Sequence, residues 1–251
     1  YSPFDFPEYK KKLESKNIRL VKLASLANVV ISSYLNVLKK YAKANAGIKK
    51  RLILWTHEPY HDWTDRKKLV VSGSVIHIMN CYTSNVFTHN LRYFYFSDKL
   101  PLLQIDFVED SSTLVRLNID GSPKIVALST YYPPSYYINN PHSILKHRYD
   151  LILFGHSAGF VDIFGKGWEL VVVSGNSRND QDRRNSKDQI LRNYWFNICL
   201  ENAIAPFYVT EKIWESISAG CLPIYYSNDT IYEIFPKNSF LDYREFAGPE
   251  A

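Results

Sequence analysis

The sequence predicts an α/β protein built on parallel sheets in two halves, and three observations carry that prediction. Short, β-branched apolar runs at 27–33 (ANVVISS) and 51–56 (RLILWT) flank a helical stretch at 34–45 (YLNVLKKYAKAN). Strand, helix, strand with polar connectors is the rhythm of a parallel sheet. A second alternation runs from VDIFG (161–165) to LPIYY (222–226). Between the two lies TYYPPSYYINNPHS (130–143), rich in Pro, Asn and Tyr, the best linker candidate in the chain. With 251 residues there is length for two small cores. We expect an N-terminal unit over 1–124 and a C-terminal unit over 125–251.

Taken in order, PEYKKKLESK (7–16) reads as a helix, followed by the first alternation. From Val75 to Tyr95 aromatics mix with Asn and Thr without clean periodicity, and no element is assigned. In the second half WELVVVSG (168–175) reads as a strand, and 176–189 is a polar, charged segment. A helix-to-strand passage follows over 190–202, then a helix from Glu211 and a strand at 222–226.

Composition narrows the classes. Apolar residues make 46% and charged residues 22%, which is globular rather than disordered. The net charge of +5 is lopsided: residues 1–125 hold 19 Lys and Arg against 11 Asp and Glu, and residues 126–251 hold 11 against 14. A basic first half suits peripheral contact with a membrane surface or an anionic partner. Lys10-Lys11-Lys12 and Lys49-Lys50-Arg51 read as solvated faces, and no arginine-rich arm or zinc-finger spacing supports nucleic-acid binding. Cys81, Cys199 and Cys221 lie far apart in apolar surroundings, as buried free thiols would. No apolar run approaches the ~18 residues of a membrane span. Sparse cysteines lead us to expect a cytoplasmic or peripheral-membrane protein, lumenal in the Golgi if an anchor was removed.

One stretch asks for a hydrolase. LILFGHSAGF (151–160) contains G-x-S-x-G, the turn that exposes a nucleophilic serine in α/β-hydrolases. In that fold the catalytic histidine follows the serine, yet all seven histidines precede Ser157. Without a base its hydroxyl stays a poor nucleophile. The same letters also read as a helix, with Ile144, Leu145, Tyr149, Leu151, Ile152 and Gly155 on one apolar face closed by the glycine.

The segment ENAIAPFYVTEKIWESISAGCLPIYY (201–226) carries stronger chemistry. Thr210 reads as the N-cap of a helix, with Glu211 and Lys212 in its first turn, Ile213, Trp214 and Ile217 on its buried side and Gly220 at its end. A helix N-terminus with an added lysine suits a phosphate. Glu211 would repel one and accepts instead from sugar hydroxyls, so the pair fits a nucleotide sugar.

FYVTEKIWESISAGCLPIYY, with YWFNICLEN before it and FPKNSFLDYREF after it, resembles the α1,3-fucosyltransferases of glycosyltransferase family ten. VDIFGKGW (161–168) and WTHEP (55–59) match further blocks of that family more loosely. The resemblance implies a GT-B architecture, two Rossmann-like domains facing across a cleft, with the nucleotide donor on the second. The chain lacks a first Rossmann strand ahead of ANVVISS and stops soon after LDYREF, so we expect a fold truncated at both ends. Carried over by position, the resemblance makes Arg148 a phosphate-binding arginine, followed thirteen residues later by Val161. It has Tyr208, Glu211 and Lys212 contact the nucleotide and Asn202 line the pocket.

Glu58 corresponds to the family's general base, although pairing with His57 or Arg66 is the alternative for it. The implied reaction is an inverting transfer of L-fucose from GDP-fucose to a hydroxyl of an acceptor glycan, α1,3 to N-acetylglucosamine. Arg148 and Lys212 would neutralise the departing diphosphate, with no divalent metal or other cofactor. Asp180-Gln181-Asp182 is read as a solvated loop, and His57 and His61 sit on a proline-bearing loop rather than a helix. Trp195 stands where the family often has a basic residue and is expected to alter the pocket. Three rivals remain: a GT-B transferase using another nucleotide sugar, a hydrolase acting through Ser157, and a non-catalytic glycan- or nucleotide-binding module.

Overall fold

A computed structural model describes residues 7–47, 49–56, 66–80, 124–169, 183–233 and 235–248. They fall in two compact units, the first within Tyr1–Thr56 and Arg66–Met79.

In the first unit a helix α1 (Pro7–Glu14) precedes β1 (Val29–Ser32), α2 (Leu35–Ala44), β2 (Arg51–Trp55), β3 (Lys68–Val71) and β4 (Ser74–Met79). The sheet order is β1-β2-β4-β3, parallel except for the antiparallel β3–β4 pair. Leu38 and Ala42 of α2, four residues apart, bury themselves on Leu52, Leu54, Ile76 and Ile78. The β3–β4 hairpin turns on Ser72 and Gly73, both at positive φ, the two-residue geometry that matches strand twist. It supplies a strand at 74–79 where the sequence showed no clean period. Lys10, Lys11 and Lys12 are exposed as read, whereas the Lys50 ammonium donates to the carbonyls of Ala24 and Ser25 at 2.6 and 2.8 Å.

The second unit runs β5 (Ile125–Leu128), α3 (Leu145–Ser157), β6 (Val161–Phe164), α4 (Arg183–Leu191), β7 (Phe196–Ile198), α5 (Glu211–Ser218), β8 (Leu222–Tyr225) and β9 (Leu241–Asp242). All five strands are parallel, in the order β6-β5-β7-β8-β9. This is a doubly wound, Rossmann-like sheet. Alternate residues of β5 serve opposite layers. Ala127 joins Leu145, Tyr149 and Ile152 of α3, while Val126 joins Leu191 of α4 together with Ala219 and Cys221. The stretch 130–143 lies inside this unit, between β5 and α3, and so does not link the two halves.

Helix α3 runs through Gly155 to Ser157, so the glycine that closes it is Gly159, at φ 82°, and not Gly155. Gly159 N–H donates to His156 O and Phe160 N–H to Gly155 O, the paired bonds of a Schellman end. Gly155 instead lets α3 settle on β6: a Cβ there would stand 2.4 Å from Val161 Cγ2. Gly220 ends α5 as expected, by the same device, with Cys221 N–H donating to Ser216 O. Among the described residues no helix is long and apolar enough to cross a membrane.

Where β5 and β6 end, their loops touch backbone to backbone. A Cβ on Gly165 would lie 1.8 Å from the Ser129 carbonyl oxygen, the same oxygen that accepts 2.7 Å from Trp168 Nε1. Gly165→Ala must therefore push the loop after β5 away. We expect a loss of about 1–3 kcal/mol, or several degrees in melting temperature, read by calorimetry.

Candidate functional site

In a doubly wound sheet ligands bind beyond the carboxyl ends of the strands, where the strand order reverses. Here that point lies between β5 and β7, since β6 and β8 depart from them in opposite directions. A cavity of about 350 Å³, open mouth included, occupies it. Its wall takes Leu128 and Ser129 from the end of β5, and Asn197, Ile198, Cys199 and Leu200 from β7 and beyond. Arg148 comes from α3, Lys187 and Leu191 from α4, and Lys212 and Glu215 from α5. Three cations thus face one carboxylate in the wall.

Arg148 reaches the cavity because it lies on the buried stripe of α3, with Leu145, Tyr149 and Ile152. Its Nη1 donates to Leu200 O at 3.1 Å and to Asn202 Oδ1 at 3.0 Å, tying α3 to the segment after β7. The Nε–H is buried and has no partner among the described residues. Leaving such a donor unmet costs about 1–3 kcal/mol, a cost an incoming anion would remove.

Lys212 is held by a buried hub. The Glu201 carboxylate, fully buried, accepts from Lys212 Nζ at 2.9 Å, Tyr225 OH at 2.6 Å and Thr210 N–H at 2.7 Å. Thr210 Oγ1 sits 2.9 and 2.8 Å from the two carboxylate oxygens and accepts from Lys212 Nζ at 2.7 Å. Burial, and then the Glu201 charge, push the Tyr225 phenol well above its ordinary range, so it stays a donor. Thr210 occupies the N-cap position of α5, but its hydroxyl makes no cap bond, because Glu201 has claimed it.

Asn197, also buried, donates from Nδ2 to Ser216 Oγ at 2.6 Å, and Ser216 in turn donates to Lys212 O. That chain fixes the amide orientation and leaves Asn197 Oδ1 as a buried acceptor without a partner among the described residues. Cys199 in the same wall is inert: burial drives its thiol up to about 12. Cys199 and Cys221 are both free and buried.

Of the sequence-predicted residues, the cavity brings Arg148 and Lys212 together, and Asn202 joins them through Arg148. Tyr208 is fully buried in the core and Glu211 opens α5; neither lines the cavity. Ser157 ends a helix rather than a strand-to-helix turn, and its hydroxyl donates to Phe154 O at 2.8 Å. Trp195 is exposed just before β7, at the strand end away from the cavity, and is not among the residues that line it. Glu58, His57, His61, Asp180 and Asp182 lie outside the described residues. Among the described residues no group of three or more His, Cys, Asp and Glu is placed to hold a metal. Sequence reasoning missed Glu201, Asn197, Lys187 and Glu215. The first two sat in YWFNICLEN, Asn197 inside the apolar strand β7 and Glu201 three residues past its end.

Residues 147–251 match the model for the C-terminal domain of glycosyltransferase family 10 (fucosyltransferase). Alpha-(1,3)-fucosyltransferase B of Drosophila melanogaster is 39% identical over 64 residues, which is 25% of this chain and 14% of that protein. GDP-fucose protein O-fucosyltransferase 3 of Rattus norvegicus is 37% identical over 62 residues, 24% of this chain and 13% of that protein. The aligned stretches therefore span only a small part of these relatives' lengths. A crystal structure of an alpha1,3-fucosyltransferase superposes on 100% of the chain and 73% of its own, with a TM-score of 0.55 at 17% identity. That likeness is one of fold, two Rossmann-like units in the GT-B class. Residues 147–251, which supply most of the wall of the cavity at the strand-order reversal, thus match the C-terminal domain of the fucosyltransferases of glycosyltransferase family 10.

Proposed function

We propose that the protein is an inverting glycosyltransferase that moves L-fucose from GDP-fucose to a hydroxyl of an acceptor glycan, in α1,3 linkage to N-acetylglucosamine. The observation that carries this reading is the shared cavity of Arg148 and Lys212 at the strand-order reversal, with the Arg148 Nε–H unmet. The acceptor oxygen attacks C1 of the fucose as the bond from C1 to the β-phosphate oxygen breaks, through an oxocarbenium-like state. Glu58 takes the acceptor proton. Arg148 and Lys212 offset the charge that grows on the departing GDP, a role that often supplies the largest catalytic term.

A protein acceptor is a second reading, favoured by the match to the rat enzyme whose name specifies protein O-fucosylation. The deciding experiment offers GDP-fucose with glycans ending in N-acetyllactosamine or N-acetylglucosamine, and separately with folded protein acceptors, and reads product mass. Fucose on a glycan upholds the first reading and fucose on protein alone the second. Transfer from another nucleotide sugar but not from GDP-fucose defeats both. Because cationic side chains do the neutralising, EDTA is expected to leave the rate within about twofold, whereas a metal-dependent leaving group would lose several kcal/mol of stabilisation.

A further inference from the structure

Lys187 belongs to none of the sequence-predicted sites, yet its side chain lines the same cavity as Arg148 and Lys212. Its helix is fixed in place. Leu191, one turn on and on the same face, packs with Val126, Tyr194, Ala219 and Cys221, and Cys221 Sγ donates to Leu191 O at 3.1 Å. The ammonium donates to Glu215 Oε2 at 2.7 Å, with 14% and 27% of the two side chains exposed. Glu215 also lines the cavity, where its charge opposes any anion that enters. An ammonium carries three N–H groups, and one of them goes to Glu215. A surface ion pair would need no further account. This one stands in the wall of a cavity that a second, buried cation also lines, Arg148, whose Nε–H has no partner among the described residues.

We propose that Lys187 is a third cationic ligand of the diphosphate, acting from α4, with Glu215 as the counter-ion that occupies it while the cavity is empty. The proposal rests on the reading of the cavity as a GDP site. It sets opposite signs for the two partners. Removing the lysine charge takes a ligand from the phosphate, whereas removing the glutamate charge takes away repulsion and leaves Lys187 wholly to the anion. A pair with a purely structural role would respond alike to both substitutions.

The test titrates the 251-residue chain with GDP calorimetrically for the wild type, Lys187→Gln and Glu215→Gln, with thermal melts of each. Loss of a charge-assisted contact is expected to weaken GDP about tenfold or more in Lys187→Gln. Glu215→Gln is expected to bind GDP more tightly than the wild type, even where both variants melt lower to a similar degree. If Lys187→Gln binds within twofold of the wild type, or if Glu215→Gln weakens alongside it, the lysine is no ligand and the proposal fails alone. If the wild type binds no GDP, the function proposed above falls and takes this inference with it. Should Lys187→Gln not fold, Glu215→Gln decides: tighter binding upholds the proposal, and unchanged or weaker binding overturns it.

Discussion

Replacing Arg148 with lysine is expected to leave the chain folded while lowering its affinity for GDP about 10- to 100-fold. The expectation follows from how the guanidinium is divided. Nη1 serves the protein, bonding Leu200 O and Asn202 Oδ1, while Nε–H has no partner among the described residues and the residue itself lines the cavity. A lysine concentrates its donors on one atom and lacks the planar fork, so it can satisfy the two protein acceptors or the anion, but not both in the same geometry. Arg148→Ala goes further: it strands the buried Leu200 O, at about 1–3 kcal/mol for a buried acceptor left unmet, and frees the half-buried Asn202 Oδ1. The alanine variant should therefore lose both affinity and melting temperature, the lysine variant mainly affinity. GDP binding by Arg148→Lys within threefold of the wild type would remove the arginine from the phosphate site.

What the chain disclosed in advance was what depends on neighbours in sequence. Gly220 ended α5 where the pattern put it, and the helical reading of LILFGHSAGF held because every contact that decides it is within a few residues. Arg148 was more legible than the resemblance alone suggested. It stands three residues after Leu145 and four before Ile152, so a charged side chain on the buried stripe was already written into the spacing. The Ser72-Gly73 turn was equally local and was passed over, because the apolar strand beside it merged with an aperiodic region. Thr210 failed as a cap for a different reason. Its hydroxyl answers to Glu201, nine residues earlier, and no local rule sees that competitor. Lys187 and Glu215 meet across 28 residues, and the cavity itself exists only because β7 lies beside β5. Strand order is a property of the assembled sheet, and it decides which polar letters share a space.

Glu201 is where the second large effect is expected. Its carboxylate is fully buried and accepts from Thr210 N–H, Tyr225 OH and Lys212 Nζ, and it sits against the Thr210 hydroxyl as well. Removing one partner of a buried ion pair leaves the others desolvated and unpaired, at about 3–5 kcal/mol, so Glu201→Ala should melt roughly 10 °C lower. Glu201→Gln, which keeps the shape and one carbonyl oxygen, should fall between the two. Stability alone would not separate a packing role from the positioning of Lys212, but a double-mutant cycle with Lys212→Met does. Once the carboxylate is gone the ammonium has lost the anchor that fixes it, and little is left for the second substitution to remove. The pair should couple by about 0.5–3 kcal/mol in both melting stability and GDP binding. Additivity in binding would mean that Lys212 finds its place in the cavity without Glu201. The hub would then be core architecture that happens to touch the site.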